Sequence, residues 1–225
     1  MITKFKYFYL YLLISLIELL IAIFPNHLDN VRLITKPLLM ITLMGWVIDN
    51  LGLKKAKSIL WILFFAWLGD VFLMFSAPLY FPLGLGSFLV MQILYISSFI
   101  KPIRLYHIHW IKDSLVALIF GCYVFFFLKI LWGGIESPLK IPVVLYSVSL
   151  GSMAFFAYLR KAYDEKRNFW IVFLGSIFFV LSDSLLAYNK FVSSFSGNSF
   201  AVMCTYILAQ LLLSLGLVNF AIRNR

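Results

Sequence analysis

Long apolar runs, separated by short gaps that contain proline, glycine or charged residues, cover almost the whole chain of 225 residues. A helix needs about 20 apolar residues to cross the roughly 30 Å hydrocarbon core of a bilayer. Of the residues, 63% are hydrophobic and 12% are charged, whereas soluble domains have about 25% charged residues. The sequence therefore predicts an all-α, polytopic membrane protein, with a single transmembrane domain over residues 1–225. Its eight predicted transmembrane helices are 5–24, 32–48, 59–76, 82–100, 114–132, 141–159, 169–188 and 199–222.

Basic residues are distributed unequally between the two sides of these spans. Of the 19 lysines and arginines, fourteen fall on the side of the two termini, and only Arg32, Lys140 and Lys190 fall in gaps on the other side. Short cytoplasmic loops are enriched in Lys and Arg, so this predicts both termini in the cytoplasm, with a bacterial inner membrane as the expected location. The net charge of +10 then reflects loops that contact anionic lipid headgroups, and no nucleic-acid partner is expected.

The third and seventh spans carry similar sequences around an aspartate. In each, a small residue precedes the aspartate, Asp70 or Asp183, and leucine follows three positions after it. The next span contains a glutamine in both cases, Gln92 or Gln210. This pattern predicts an internal duplication of two parallel four-helix halves, as in some transporter folds. The halves would be residues 1–112 and 113–225, approximately.

Four ionisable side chains lie deep inside the predicted spans, namely Glu18, Lys36, Asp70 and Asp183. A charged group there costs at least about 2.5–3.5 kcal/mol, so it indicates a function unless it has a structural partner. All four fall at or beyond the middle of the bilayer, toward the non-cytoplasmic side. A shared functional site is the favoured interpretation, and a purely structural cluster of lysine and carboxylates is the alternative. Other polar side chains in the spans are Gln92, Gln210, Tyr95, Tyr146, Tyr206 and Asn189.

The cysteines and histidines do not indicate a metal or a cofactor. Cys122 and Cys204 lie inside apolar runs, which predicts small buried side chains. His107 and His109 form a His-x-His pair in a gap, which is more typical of an interfacial loop than of a metal site. No metal and no cofactor are therefore predicted.

A series of short motifs runs through the spans in a fixed order: Lys36-Pro37-Leu38, 68–74 (LGDVFLM), 84–89 (GLGSFL), Tyr95-Ile96, 175–179 (GSIFF), 182–187 (SDSLLA), Thr205-Tyr206 and Ala209-Gln210-Leu211. In these motifs the chain resembles the YhhN-like family of eight-span membrane proteins, which includes the lysoplasmalogenases. The family pattern commonly has a histidine in the fourth span where this chain has Gln92. Glutamine can form hydrogen bonds but cannot titrate, so a proton-carrying role at this position would be lost.

The resemblance implies hydrolysis of the vinyl-ether bond of lysoplasmalogens, which gives a fatty aldehyde and a glycerophospho-headgroup. This reaction requires a proton delivered to carbon and then attack by water, and one carboxylic acid with one carboxylate can supply both. Asp70 and Asp183 are the candidate catalytic pair, with Asp70 assigned the protonated role and Asp183, between two serines, the ionised role. The lysophospholipid substrate would bind within the bilayer. The candidate substrate-binding residues are Lys36, Gln92, Tyr206, Gln210, Asn189 and Glu18.

Two other functions fit part of the pattern. A proton-coupled transporter of small solutes would place the same ionisable residues between two duplicated halves. An intramembrane aspartyl protease also carries aspartates on two helices, but such enzymes typically show Tyr-Asp, Gly-x-Gly-Asp and Pro-Ala-Leu. This chain has Ser182-Asp183, Leu68-Gly69-Asp70 and Ala77-Pro78-Leu79 instead. Aldehyde release by the detergent-solubilised protein would distinguish the hydrolase from the transporter.

Overall fold

The computed structural model describes residues 5–24, 29–100 and 109–224. These residues form eight long α-helices and short 3₁₀ turns, without a strand. The eight-helix, all-α fold predicted from the apolar runs is confirmed. Four of the fourteen basic residues counted above on the side of the termini lie outside the described ranges, namely Lys4, Lys101, Arg104 and Arg225. His107 also lies outside them. The helices are α1 (Lys6–Ile23), α2 (Asp29–Leu51), α3 (Leu53–Phe72), α4 (Tyr80–Ile100), α5 (Trp110–Leu131), α6 (Lys140–Leu159), α7 (Lys166–Phe191) and α8 (Asn198–Arg223).

Seven of the eight described helices are long and apolar enough to cross a membrane, so the chain is an integral membrane protein. The helix that falls short is α3, because three lysines lie near its start and Asp70 lies near its end. Its 20 residues still extend for about 30 Å at 1.5 Å per residue. Lysines at a helix end can extend their ammonium groups to the aqueous surface. α3 is therefore still long enough to cross the membrane.

The connection between α2 and α3 is much shorter than predicted. The sequence places a loop between residues 48 and 59, whereas α2 ends at Leu51 and α3 begins at Leu53. The intervening residue, Gly52, has a φ of +72°, which glycine adopts at little steric cost. The predicted start of the third helix was therefore wrong, because the lysines assigned to a loop belong to the helix.

Seven of the helices pack in a closed cycle. α1 packs on α2, α2 on α3, α3 on α4, α4 on α6, α6 on α7 and α7 on α8, and α8 returns to α1 and α2. Consecutive helices that are separated by few residues and pack on each other run in opposite directions, so the ends of α1, α3 and α7 meet the starts of α2, α4 and α8. This end of the bundle, opposite both termini, is called the distal end below. The internal duplication stays a prediction.

The helix outside this cycle is α5, which contacts α6 and, less extensively, α7. Among its 22 residues only Asp113 and Leu131 are buried. Cys122 on α5 is exposed and Cys204 on α8 is partly exposed, so the prediction that both are buried was wrong. Lipid tails are as apolar as a protein core, and an apolar run in a membrane helix therefore need not face the protein interior.

A buried cluster of charges lies at the opposite, terminal end of the bundle. Arg160, at the end of α6, is fully buried and pairs with the buried Asp164. Asp164 also accepts hydrogen bonds of 2.8 Å from Arg223 on α8 and from Asn168 on α7. The cluster therefore joins the ends of three helices. Three rings surround the Arg160 guanidinium, those of Phe99 at 5.2 Å, Tyr163 at 5.4 Å and Phe220 at 5.0 Å.

Candidate active site

A polar cavity of about 520 Å³ lies in the distal end of the bundle. Its walls come from α2, α3, α4, α7 and α8. The cavity combines cations with carboxylates, which are rare inside a membrane protein and usually mark a binding or reaction site. The polar residues that line it include Arg32, Lys36, Asp70, Asp183, Asn189 and Tyr206.

Asp70 reaches the cavity from the last turn of α3. One carboxylate oxygen accepts a hydrogen bond of 2.6 Å from the Tyr206 hydroxyl on α8, and the other lies 3.8 Å from Nζ of Lys36 on α2. The preceding Gly69 leaves room for the Phe88 ring, since a Cβ at position 69 would lie 2.7 Å from a ring carbon. This close approach explains the small residue before the aspartate. Asp70 is thus held between a cation and a hydroxyl donor.

Asp183 reaches the same cavity from α7 and is also buried. Its carboxylate accepts a hydrogen bond from the Tyr146 hydroxyl on α6. Gln92 on α4 lies beside that hydroxyl, although neither of its polar side-chain atoms makes a well-formed hydrogen bond within the described residues. Asp183 and Asp70 line this cavity from different helices. The fold therefore brings the two predicted catalytic residues into one site.

Gln210 supports Tyr206 from behind the cavity wall. It lies one helical turn after Tyr206 on α8, and its Nε2 donates to the Tyr206 hydroxyl at 3.4 Å. Its Oε1 accepts a hydrogen bond of 3.2 Å from the Tyr95 hydroxyl on α4. A chain of hydrogen bonds thus runs from Tyr95 through Gln210 and Tyr206 to Asp70. Such a chain restricts the orientation of the Tyr206 hydroxyl.

A narrow apolar cleft of about 50 Å³ adjoins the polar cavity at Asp183. Leu73, Phe88, Asp183 and Leu186 line both spaces. Aliphatic and aromatic side chains of α4, α5, α6 and α7, among them Tyr146, form most of the remaining wall of the cleft. Asp183 therefore lies where a polar space meets an apolar one, which suits a ligand with a polar end and a hydrocarbon end.

Glu18 lies behind the cavity wall and contacts it through Arg32. It is fully buried in α1, and one of its oxygens accepts a hydrogen bond from Thr35 on α2. Its other oxygen lies 3.7 Å from Nε of Arg32. Arg32 also donates a hydrogen bond of 3.3 Å to the hydroxyl of Ser199 at the start of α8. Glu18 and Ser199 therefore hold the Arg32 side chain between α1 and α8.

The structure brings five of the eight predicted site residues to the cavity wall, namely Asp70, Asp183, Lys36, Asn189 and Tyr206. The other three, Glu18, Gln92 and Gln210, lie one layer behind it, each next to a residue of the site.

Arg32 and Tyr146 contact the site without being among its predicted residues. Arg32 precedes Lys36 by four residues, a spacing that places two side chains on one face of a helix. This four-residue spacing could have identified Arg32 from the sequence. Arg32 instead stands at the very start of the predicted span and is counted with the loops. Tyr146 is named above among the polar side chains inside the spans, but no spacing in the sequence marks it as a site residue, because its partner Asp183 lies on a different helix.

Comparison with known proteins identifies relatives of the chain. The profile of the YhhN family matches residues 31–217, a range that includes all the cavity residues named above. A Homo sapiens protein named lysoplasmalogenase TMEM86A is 31% identical over 165 residues, which are 70% of this chain and 63% of the human one. The chain thus spans less than two thirds of the length of that curated relative. No solved structure matches the chain.

Proposed function

Because this chain belongs to the YhhN family, we propose that it is a lysoplasmalogenase, which hydrolyses the vinyl-ether bond of lysoplasmalogens inside the membrane. The observation that carries the proposal is the pair of buried carboxyl groups, Asp70 and Asp183, which line one cavity from different helices. The name of the human relative supports the same reaction. The products would be a fatty aldehyde and a glycerophospho-headgroup.

The proposed reaction begins with transfer of a proton from one carboxyl group to the outer carbon of the vinyl double bond. The electron pair of that double bond forms the new C–H bond, which leaves an oxocarbenium ion at the ether carbon. The second carboxylate stabilises this cation and takes a proton from the water that attacks it. As the resulting hemiacetal collapses to the aldehyde, the second carboxyl group gives its proton to the departing glycerol oxygen, which leaves as an alcohol. The first carboxylate takes the proton of the hemiacetal hydroxyl, so one water is consumed and both groups return to their starting protonation states.

The partners of the two aspartates favour one distribution of these roles. Asp70 lies beside the Lys36 ammonium, as is typical of an ionised carboxylate, whereas the hydrogen-bond partner of Asp183 is the neutral Tyr146. Asp183 also borders the apolar cleft. An apolar environment costs a protonated carboxyl group less free energy than an ionised one. We therefore propose Asp183 as the acid and Asp70 as the carboxylate, which reverses the assignment made from the neighbouring serines in the sequence.

The two adjoining spaces suit the two ends of a lysophospholipid. The polar cavity would hold the headgroup, with Lys36 and Asn189 in its wall, and the apolar cleft would hold the first carbons of the alkenyl chain. A cleft of about 50 Å³ is too small for a whole fatty chain. The remainder would extend between the helices into the lipid, which explains why such an enzyme would be embedded in the bilayer.

Purified protein in detergent provides the test of the proposed function. We expect release of free aldehyde from a lysoplasmalogen, with one headgroup product formed for each aldehyde, and no product from the matching 1-acyl lysophospholipid. Binding without conversion, together with solute flux in sealed vesicles, would support the transporter instead.

Removal of the tyrosine hydroxyls is expected to slow the reaction while the rings remain in place. Tyr206 donates to the ionised Asp70, and Tyr146 donates to Asp183, which becomes charged as its proton moves to carbon. Hydrogen bonds to charged groups contribute about 1.5–3 kcal/mol, so Tyr206→Phe and Tyr146→Phe should each lower kcat about tenfold to 100-fold.

Tyr163→Phe is the matched control, because the Tyr163 hydroxyl donates to the Phe99 carbonyl at the terminal end of the bundle, outside both the cavity and the cleft. We expect the control to retain kcat within about threefold. Equal losses in all three variants would argue for a general packing effect.

The proposed orientation places both termini in the cytoplasm of a bacterial inner membrane, with the cavity in the outer half of the bilayer. Its support is the excess of lysine and arginine on the side of the termini. We expect a cytoplasm-dependent reporter fused after the last residue to be active and an export-dependent reporter to be silent. The reverse pattern would place the cavity on the inner side. In the proposed orientation the basic loops contact anionic headgroups.

A further inference from the structure

Two cations lie side by side in the wall of the polar cavity. Arg32 and Lys36 are four residues apart on α2 and therefore share one face of that helix, and both line the cavity. Like charges at this spacing destabilise a helix unless anions lie close to them. Among the side chains that the structure describes, Glu18 lies within 4 Å of Arg32 and Asp70 within 4 Å of Lys36.

These carboxylates leave most donors of the two cations available. The separations are 3.7 Å for Glu18 and Arg32 and 3.8 Å for Asp70 and Lys36, whereas charge-assisted hydrogen bonds measure about 2.7–2.9 Å. A guanidinium has five N–H donors, and the described contacts of Arg32 include one hydrogen bond, to Ser199. The remaining N–H groups of Arg32 and the ammonium of Lys36 can therefore bind a second anion from within the cavity.

A buried acceptor without a partner lies in the same wall. Asn198, the first residue of α8, is 9% exposed and lines the cavity. Its Oδ1 has no hydrogen-bond partner among the described residues and almost no accessible surface. A buried amide oxygen without a donor destabilises the fold. Rotation of the amide toward the cavity would let a hydroxyl or ammonium group of a ligand supply the missing donor.

We infer that Arg32 and Lys36 bind the phosphate group of a lysophospholipid, and that Glu18 is a positioning residue for Arg32. The headgroup of such a lipid also carries the hydroxyl that Asn198 would bind. The identity of the bound hydrocarbon chain rests on the proposed function, whereas the binding of a phosphate group does not. With the two cations in its wall, the site should prefer a phosphate-bearing lipid to a neutral glycerol ether of equal chain length.

Binding of non-hydrolysable lipids tests this selectivity without catalysis. The probes are a 1-O-alkyl lysophosphoethanolamine and the 1-O-alkylglycerol of the same chain, added to the full-length protein in detergent, with Kd measured by calorimetry. We expect Arg32→Gln to raise Kd for the phospholipid about tenfold to 100-fold and to leave Kd for the alkylglycerol within about threefold. Lys190→Gln is the matched control, because Lys190 lies at the same distal end but outside the cavity wall, and its two Kd values should not change.

Further variants separate positioning from a general structural role. Arg32→Lys keeps the charge and should restore part of the phospholipid affinity, without the forked geometry of arginine. Glu18→Gln removes the charge that holds Arg32 and should raise Kd for the phospholipid by a smaller factor. Combined with Arg32→Gln, it should add little, because both changes act through one side chain. Thermal unfolding of each variant shows whether it has folded like the parent.

The outcomes are distinct. Equal weakening of both lipids by Arg32→Gln in a folded protein, or unchanged binding of both, would overturn the inference. So would inorganic phosphate that binds as tightly as the whole phospholipid, because the occupant would then be a free anion. A protein that binds the phospholipid through Arg32 but releases no aldehyde from a lysoplasmalogen upholds the inference and rejects the proposed function.

Discussion

Asp70→Asn and Asp183→Asn are each expected to lower the turnover of lysoplasmalogen about 10²- to 10⁴-fold, the usual contribution of a general acid or base. Asparagine keeps the shape of aspartate and can still accept the hydrogen bonds that Tyr206 and Tyr146 donate. It cannot deliver a proton to carbon or carry the negative charge that stabilises the oxocarbenium ion. The double variant should be scarcely slower than the slower single variant, because groups that act as a unit are not additive.

Aldehyde release measured across pH checks this expectation. A bell-shaped profile in the parent would belong to the pair of carboxyl groups and should be lost in both single variants. Asp49→Asn is the matched control, since Asp49 lies on α2 but outside the cavity wall, and its turnover should equal that of the parent. Substantial activity in either folded asparagine variant of the pair would contradict the paired-carboxylate mechanism.

The number of helices and their approximate positions follow from the sequence more fully than their ends do. A run of apolar residues has one stable outcome in a bilayer, because a helix satisfies all its backbone hydrogen bonds internally. The ends are less determined. The lysines before residue 59 predict a loop, yet α3 includes them because a lysine at the membrane surface loses little by being helical. Only Gly52, with its positive φ, separates the two helices.

Part of the site is also visible in the sequence. Charge inside an apolar span identifies Asp70, Asp183 and Lys36, and the fold brings all three to one cavity. The same signal identifies Glu18, but only the structure reveals that its partner is Arg32, behind the cavity wall. Because burial of a charge costs free energy, a charged residue inside a span must have a partner. The sequence does not reveal which residue that partner is, since residues on other helices have no fixed spacing from it.

Tyr146 and the Arg160 cluster show what single-sequence reasoning misses. A tyrosine hydroxyl is tolerated in many positions of a membrane helix, so Tyr146 is distinguished only by its contact with Asp183. Arg160 and Asp164 have the spacing of a helical ion pair. They fall in a gap rich in basic residues, where charge predicts membrane orientation rather than a buried contact. In the structure both side chains are fully buried.

Asp164→Asn is expected to destabilise the protein by about 3–5 kcal/mol, the usual effect of removing one partner from a buried ion pair. The carboxylate of Asp164 is completely buried and accepts hydrogen bonds from Arg160, Arg223 and Asn168. The asparagine variant would leave the buried Arg160 guanidinium without its counter-charge, among aromatic rings that only partly compensate. Equilibrium unfolding in mixed detergent and dodecyl sulfate micelles measures the change in free energy.

Glu165→Gln is the control for this change, because Glu165 also pairs with Arg223 but has a side chain that is 64% exposed. Exposed ion pairs contribute about 1 kcal/mol or less, so this variant should unfold almost like the parent.

Asp164 lies just before the start of α7, whereas Asp183 lies about 25 Å along that helix at 1.5 Å per residue. The folded fraction of Asp164→Asn should therefore keep the parent's kcat, in contrast to the variants of the catalytic pair. Unchanged unfolding would show that Arg160 does not depend on Asp164, and a lower kcat in the folded fraction would show that the two ends of the bundle are coupled.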